Sequence, residues 1–320
     1  MMALALRRPL DFIALMKPRI TLMVLFTNLL GFFLAGGSAG RKMWLAVAGT
    51  VLVIGCANTL NMYLERDSDG LMRRTRNRPI PAGRITPNTA LWFGLALGAV
   101  SLPILAFGVN LLTAILGAIA LLSYVLVYTP MKKRSPISLL IGAVPGAIPP
   151  LMGWTAATDR LELPGVILFA IMFVWQVPHF LAITLYAPDD FARGGIKTLP
   201  FVSGVPAAKR RAAIFAAVLV PVSLGLVPLH VAGHAYLAVA LFAGTAFFGW
   251  SAWGLRKDAG TAWARSLFIV SLVYLTLLFV VLGATGSRVE THAESIAGPI
   301  TGSVAGSVAD THGSQGAAHE

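Results

Sequence analysis

Asn58, Asn61, Glu65 and Asp69 sit at helical spacing in a segment that continues the apolar run Trp44 to Cys56 without a break. At roughly 100° per residue they fall within a stripe about 80° wide on one helix face. Carboxylates and carboxamides aligned at the mouth of a membrane helix suit a hard cation such as Mg²⁺, which is usually held together with substrate phosphates. Asp67 lies about 160° around the helix from Asp69, on the other face. The competing reading is a solvated helix end whose acids pair with neighbouring arginines.

Asp69 opens a loop dense in arginine, with Arg73, Arg74, Arg76, Arg78 and Arg84, and Pro79, Pro81 and Gly83 stiffen it into turns. Arginine forks take phosphate oxygens in pairs. Acids that hold Mg²⁺ beside arginines that hold phosphate make a diphosphate site; otherwise the arginines simply anchor the loop. Further along, Trp175-Gln176-Val177-Pro178-His179-Phe180 leads into Tyr186-Ala187-Pro188-Asp189-Asp190, followed by Arg193 and Lys197. His179, Tyr186 and Asp190 share a face within about 40° if one helix runs through Pro188. That proviso matters, because proline is tolerated near a helix end and costly within one. Lys132, Lys133 and Arg134 form a third basic loop, which either screens the same phosphates or anchors the chain.

These clusters need elements to position them, and composition says what kind. The 320 residues are 57% hydrophobic and only 12% charged, with a mean hydropathy of +0.77. A soluble domain carries roughly 25% charged residues, so the chain is an all-α integral membrane protein. About nine apolar runs have the length of a span, about 20 residues: 20–37, 44–63, 89–108, 111–128, 137–154, 164–186, 212–229, 235–255 and 266–285. Barrel strands are excluded by the length of the runs. The net charge of +12 is a topology signal, not a nucleic-acid footprint. Of the 25 Lys and Arg residues, 21 fall at the N-terminus and in alternate loops, leaving Arg41, Lys42, Arg160 and Arg288 on the other side. The expected orientation is a cytoplasmic N-terminus and an extracytoplasmic C-terminus in a bacterial inner membrane. Residues 1–19 read as a cytoplasmic leader and 20–285 as the polytopic domain. Residues 286–320 read as a disordered tail in which His292, His312 and His319 are solvated. Cys56 is a buried small hydrophobe, and no Cys/His zinc spacing occurs. Gly142, Gly146, Gly153 and the prolines 145, 149 and 150 read as a close-packing helix face.

Several of these segments together resemble the intramembrane aromatic-prenyltransferase superfamily, and within it the subgroup that modifies haem. The superfamily motif Asn-Asp-x-x-Asp-x-x-x-Asp is matched by Asn61-Met62-x-x-Glu65-x-x-x-Asp69, and a second, Asp-x-x-x-Asp, only by Tyr186-x-x-x-Asp190. Those departures are similar to the haem subgroup's own pattern. So are Met72-x-Arg74-Thr75-x-x-Arg78-Pro79, Tyr128-Thr129, Gly146-Ala147-x-Pro149-Pro150-x-x-Gly153-Trp154 and Trp175-Gln176-x-Pro178-His179-Phe180. The resemblance covers nearly the whole chain except the tail. It implies nine helices in a bundle around a central, laterally open cavity, and transfer of farnesyl from farnesyl diphosphate to the C2 vinyl group of haem b. A haem A synthase or terminal oxidase would receive the product. It also implies roles. Asn61, Glu65 and Asp69 form the first metal and diphosphate cluster, with Asp190 its counterpart across the cavity and Asp189 beside it. Asn58, Arg73, Arg74, Arg78, Lys132, Lys197 and Tyr186 are substrate contacts. Trp175, Gln176 and His179 face the haem, His179 by iron ligation or a propionate, unless it is a structural histidine in a helix interface.

Three rivals remain at this point. Another prenyltransferase acting on a quinone precursor or chlorin would differ in acceptor. A transporter would use the acids as an ion relay, but they cluster at one membrane face and no inverted repeat is evident. A non-enzymatic haem-assembly factor would bind haem without transferring farnesyl.

Overall fold

The structure, a computed structural model, describes residues 2–286, so the expectations for Arg288, His292, His312, His319 and most of the tail fall outside the described residues. Helices α1 (Met2–Leu15) and α2 (Pro18–Leu34) meet at a bend of 53° measured from Pro9. Pro18 causes it. The ring disfavours helical geometry at the preceding residue, and Lys17 turns left-handed at φ 52°. Helix α3 (Arg41–Leu71) is 31 residues long, about 46 Å at 1.5 Å per residue, against a hydrocarbon core of about 30 Å. It is longer than one crossing requires, and its last turns carry the acids.

After α4 (Pro87–Gly108), α5 (Leu111–Leu122) widens into a π-helical stretch at Ser123–Tyr128 before α6 (Thr129–Met131). Pro130 cannot donate to the ladder, and the Thr129 hydroxyl donates back to the Tyr124 carbonyl at 2.8 Å. Helix α7 (Ser138–Thr158) runs on through Pro145, Pro149 and Pro150, and α8 (Leu163–Tyr186) through Pro178. Two short helices, α9 (Pro188–Arg193) and α10 (Leu199–Ser203), precede α11 (Val205–Leu224), α12 (His234–Trp253) and α13 (Thr261–Thr285).

The chain is a multi-pass membrane protein. Among the described residues, seven helices are long and apolar enough to span a bilayer, or eight if the bent pair α1–α2 counts as one span. The expected all-α multi-span architecture holds, with nine an approximate count. The run expected at 212–229 lies in α11, which starts at Val205 and takes in Lys209, Arg210 and Arg211. Large side chains such as Trp92, Phe107 and Phe242 are exposed on the outer surface, as lipid-facing residues are.

Lipid tails are as apolar as leucine, so the helices are held by close packing and internal hydrogen bonds. Helix α2 packs on α7, α3 on α4, and α7 on α8, while α8 also packs against α11 and α13. At the α2–α7 contact the backbones themselves touch. A Cβ added at Gly31 would overlap the Pro150 carbonyl, and one at Gly153 the Asn28 carbonyl. Asn28, fully buried, donates to the Pro149 carbonyl at 3.0 Å. Gly146 leaves room for Gln176 of α8 in the same way. The prolines and glycines of α7 are therefore a packing face, as their spacing indicates. Cys56 is buried among Val53, Leu105 and Met152. At the other end of α3 a polar cluster ties three helices together: Lys42 pairs with Asp159 at 2.9 Å, and Asn110 donates to Asp159 at 2.6 Å and to the Thr155 carbonyl at 2.8 Å.

Candidate active site

Helix α3 continues through Asp69, and its polar face turns inward. Asn58, Asn61, Glu65 and Asp69 are all buried, Asp69 completely, while the Asp67 side chain is 85% exposed. Asn61, Glu65 and Asp69 line a partly open cavity of about 200 Å³, walled by α3, the π-helical turn and α8 and by the segments 72–78 and 191–199. Asn58 sits one turn deeper, outside the lining, and donates to the Met16 carbonyl at 3.2 Å.

Cations outnumber acids around this space. Lys17, Arg74, Arg78, Lys132 and Lys197 face Glu65 and Asp69, so the cavity favours a polyanion. Each acid already has a partner. Lys132 Nζ lies 2.7 Å from Glu65, and Arg78 Nη1 lies 2.6 Å from Asp69 Oδ2. Lys17 donates to Asn61 Oδ1 at 3.1 Å, and the Asn61 amide donates to Thr129 Oγ1 at 3.0 Å. Burial alone would pull the Lys132 ammonium down, but Tyr128, Glu65 and Tyr124 hold it above the usual lysine value, so it stays charged. Its Nζ also sits 4.6 Å from the centre of the Tyr128 ring.

One atom in this network is left over. Asp69 Oδ1 is buried and has no hydrogen-bond partner, an arrangement that costs free energy unless a ligand compensates. Among the described residues, no three His, Cys, Asp or Glu side chains converge as a metal cluster. Magnesium does not need that many. It commonly binds through one or two carboxylates together with substrate phosphates and waters. The orphaned Asp69 oxygen, the Glu65 carboxylate and the Asn61 carboxamide fit such an ion.

The second acidic segment is placed differently from the expectation. Helix α8 stops at Tyr186, Ala187 leaves helical geometry, and Pro188 starts α9. His179, Tyr186 and Asp190 therefore do not share one continuous helix, because the chain breaks where proline removes the donor. Asp190 does not line the cavity. Its Oδ1 accepts from the Arg73 backbone N–H at 2.9 Å and from Arg193 Nη2 at 2.8 Å, and its Oδ2 is 4.0 Å from Arg74 Nε. Burial disfavours its charge, but Arg193 and the Arg73 backbone outweigh that and hold the carboxyl below its ordinary value. Asp190 is thus a tether between the segments 72–78 and 188–193. Asp189 is exposed beside it, and with Tyr186, Arg73, Arg74 and Arg193 the pair lines a shallow cleft of about 450 Å³. Of the arginines expected at phosphate, Arg74 and Arg78 reach the cavity and Arg73 does not. Lys132 and Lys197 both line it, and the Lys197 backbone N–H donates to the Lys132 carbonyl at 2.9 Å, joining their loops.

Trp175, Gln176 and His179 point into helix contacts. Trp175 donates to the Ser271 carbonyl at 2.7 Å, His179 Nδ1 is 2.8 Å from Ser271 Oγ, and Gln176 donates to the Ala143 carbonyl at 3.1 Å. None of the three lines the cavity, whereas Phe180, Leu181, Ile183 and Thr184 do. Several lining residues carried no role in the sequence reading. Lys17 looked like topology charge and Tyr124 like part of an apolar span. Thr75 fixes the loop by donating to the Asp69 carbonyl at 2.9 Å. The Lys17-Pro18 pair, which forces a break, and the proline after Tyr128-Thr129 were the available signals.

Fold and site together define a polytopic helical membrane protein with a partly open pocket, rich in lysine and arginine, at one end of the bundle. Known proteins sharpen that class. The family model described as the UbiA prenyltransferase family matches residues 24–273. A protoheme IX farnesyltransferase from Sorangium cellulosum is 56% identical over 75% of this chain and 86% of the relative, and one from Myxococcus xanthus is 49% identical over 85% and 93%. Among solved structures, digeranylgeranylglyceryl phosphate synthase superposes with a TM-score of 0.76 at 18% identity, covering 87% of this chain and 98% of that one. A UbiA homologue from Archaeoglobus fulgidus bound to GPP and Mg²⁺ gives 0.63 at 17%, covering 85% and 99%. The chain belongs to the UbiA prenyltransferase family.

Proposed function

We propose that the protein transfers the farnesyl group of farnesyl diphosphate to the C2 vinyl group of haem b, yielding haem O and diphosphate. The observation that carries the chemistry is the partly open cavity in which Asn61, Glu65 and Asp69 face Arg74, Arg78, Lys132, Lys197 and the Lys17 amine. The acceptor follows from relatives at 49–56% identity that bear the name protoheme IX farnesyltransferase, which sets aside a quinone precursor or chlorin. The product would pass to a terminal oxidase, directly or through a haem A synthase.

Asp69, Glu65 and Asn61 would hold Mg²⁺, which supplies Lewis-acid neutralisation of the leaving diphosphate. Around it, Lys132, Arg78, Arg74, Lys17 and Lys197 gather the charge that builds on the diphosphate as the C1–O bond breaks. The Tyr124 and Tyr128 rings and the apolar side chains of Leu139, Phe180, Leu181 and Leu199 wall the same space. Ring faces favour a neighbouring cation, and an apolar wall keeps water from capturing it early. The haem vinyl group attacks the allylic carbon, forming a C–C bond. Water then adds to the carbon next to the macrocycle and loses a proton, completing a hydroxyethylfarnesyl side chain. In the orientation proposed from the charge asymmetry, the cavity opens at the cytoplasmic face of a bacterial inner membrane.

The test is incubation of the purified protein with haem b, farnesyl diphosphate and Mg²⁺, with mass spectrometry of the extracted haems. A haem heavier by one farnesyl and one hydroxyl supports the reading. Unchanged haem b from folded protein refutes it.

A further inference from the structure

The shallow cleft beside the cavity lies outside the space that Asn61, Glu65 and Asp69 line. Arg73, Arg74 and Arg193 share it with Asp189, Asp190 and Tyr186. Arg74 lines both this cleft and the cavity, so the two spaces share a wall. The Asp190 carboxylate is already committed to Arg193 and the Arg73 backbone N–H, and three arginines against two aspartates leave the cleft cationic. Arg73 is the informative member. Its backbone holds the loop through Asp190, while its exposed guanidinium has no carboxylate within 4.0 Å among the described residues. Burying or steering a carboxylate is what an unpaired guanidinium beside an aromatic surface does well.

The acceptor supplies matching groups. In haem b the vinyl groups occupy two adjacent pyrroles and the propionates the other two. When the vinyl edge reaches the diphosphate, the carboxylate edge must therefore point away from it. A second cationic space contiguous with the cavity is where that edge would lie. The Tyr186 ring lines the cleft, with the Phe268 ring edge-to-face 5.9 Å from it and the Arg265 guanidinium 6.0 Å from its centre, which gives the cleft an aromatic wall.

On the reading that the acceptor is haem b, we propose that this cleft is the propionate-binding subsite, with Arg73 the principal carboxylate partner and Arg193, fixed by Asp190, the second. The cleft then selects the acceptor, because a quinone precursor lacks the paired carboxylates.

The experiment is a visible-absorption titration of the purified full-length protein with haem b and with its propionate dimethyl ester, on wild type and Arg73→Gln. The substitution keeps the backbone N–H that holds Asp190, so the loop stays tethered. The cleft predicts that the ester binds wild type at least tenfold more weakly than haem b. It predicts further that Arg73→Gln weakens haem b at least tenfold and leaves the ester unchanged, so that the variant distinguishes acid from ester less than wild type does. In turnover, the same variant raises KM for haem b with KM for farnesyl diphosphate unmoved. Equal binding of acid and ester to wild type, or unchanged discrimination in the variant, overturns the proposal. Binding is read without turnover. A wild-type protein that distinguishes acid from ester through Arg73 but makes no farnesylated haem supports the subsite and refutes the transfer reaction.

Discussion

Asp69→Asn separates a catalytic stripe from a solvated helix end, with Asp67→Asn as its control. Asp69 is completely buried, with one oxygen on Arg78 at 2.6 Å and the other unpartnered. Two unit charges about 4 Å apart interact by roughly 4 kcal/mol at an effective dielectric constant near 20. Arg78 is 26% exposed at its side chain, which reduces that figure through solvent screening. The loss in the transition state is larger than the loss in the resting pair, because charge grows on the diphosphate as it departs. Removing one such interaction costs about 2.7–4 kcal/mol in comparable sites, or a hundredfold to a thousandfold in kcat. Asparagine keeps the shape and can still accept from Arg78, so folding and haem b binding should persist. Asp67, exposed and 3.8 Å from Arg66, should change kcat by less than about twofold, because such surface pairs contribute little. Initial rates of farnesylated haem formation, with thermal midpoints measured in parallel, decide the matter. Equal small effects at both positions would refute the assignment of the buried face, and a dominant effect at Asp67 would invert it.

Three further outcomes follow from the same geometry. Excess EDTA should abolish turnover while leaving the thermal midpoint of the ligand-free protein unchanged; full activity under chelation would remove the metal from the mechanism. Gly153→Ala should lower stability by about 1–3 kcal/mol, as overpacking does, because the added carbon meets the Asn28 backbone; an unchanged thermal midpoint would show that α2 and α7 part easily. Asp190 supplies a pH dependence. Its carboxyl is held below the ordinary 3.8, so its contribution to folding is complete above that value and lost as pH falls through the lower folded one. Acid should therefore loosen the segment 187–198 towards proteases in wild type, and Asp190→Asn should be loose at neutral pH already. Protection that is the same in both proteins at every pH would refute the tether.

The helix period made the α3 face legible. It depends only on local geometry, and the contrast between buried Asp69 and exposed Asp67 is the contrast that the period demands. The spans were legible for a similar reason, since a bilayer imposes their length. What escaped the sequence depends on partners far along the chain. Arg73 and Arg74 are adjacent in the same basic run, yet only Arg74 reaches the cavity, because the Arg73 backbone is drawn to Asp190, 117 residues away. Lys17 bonds Asn61 across 44 residues because Pro18 breaks the helix and turns the lysine inward. Trp175 and His179 carry a distinctive pattern, and their positions are set by a serine on α13 that no local rule could nominate. Composition thus supplied the cations of the site, and the breaks at Pro18, Pro130 and Pro188 decide which of them face the cavity. A substitution that moves one of those breaks should therefore disturb catalysis without touching a single charged residue.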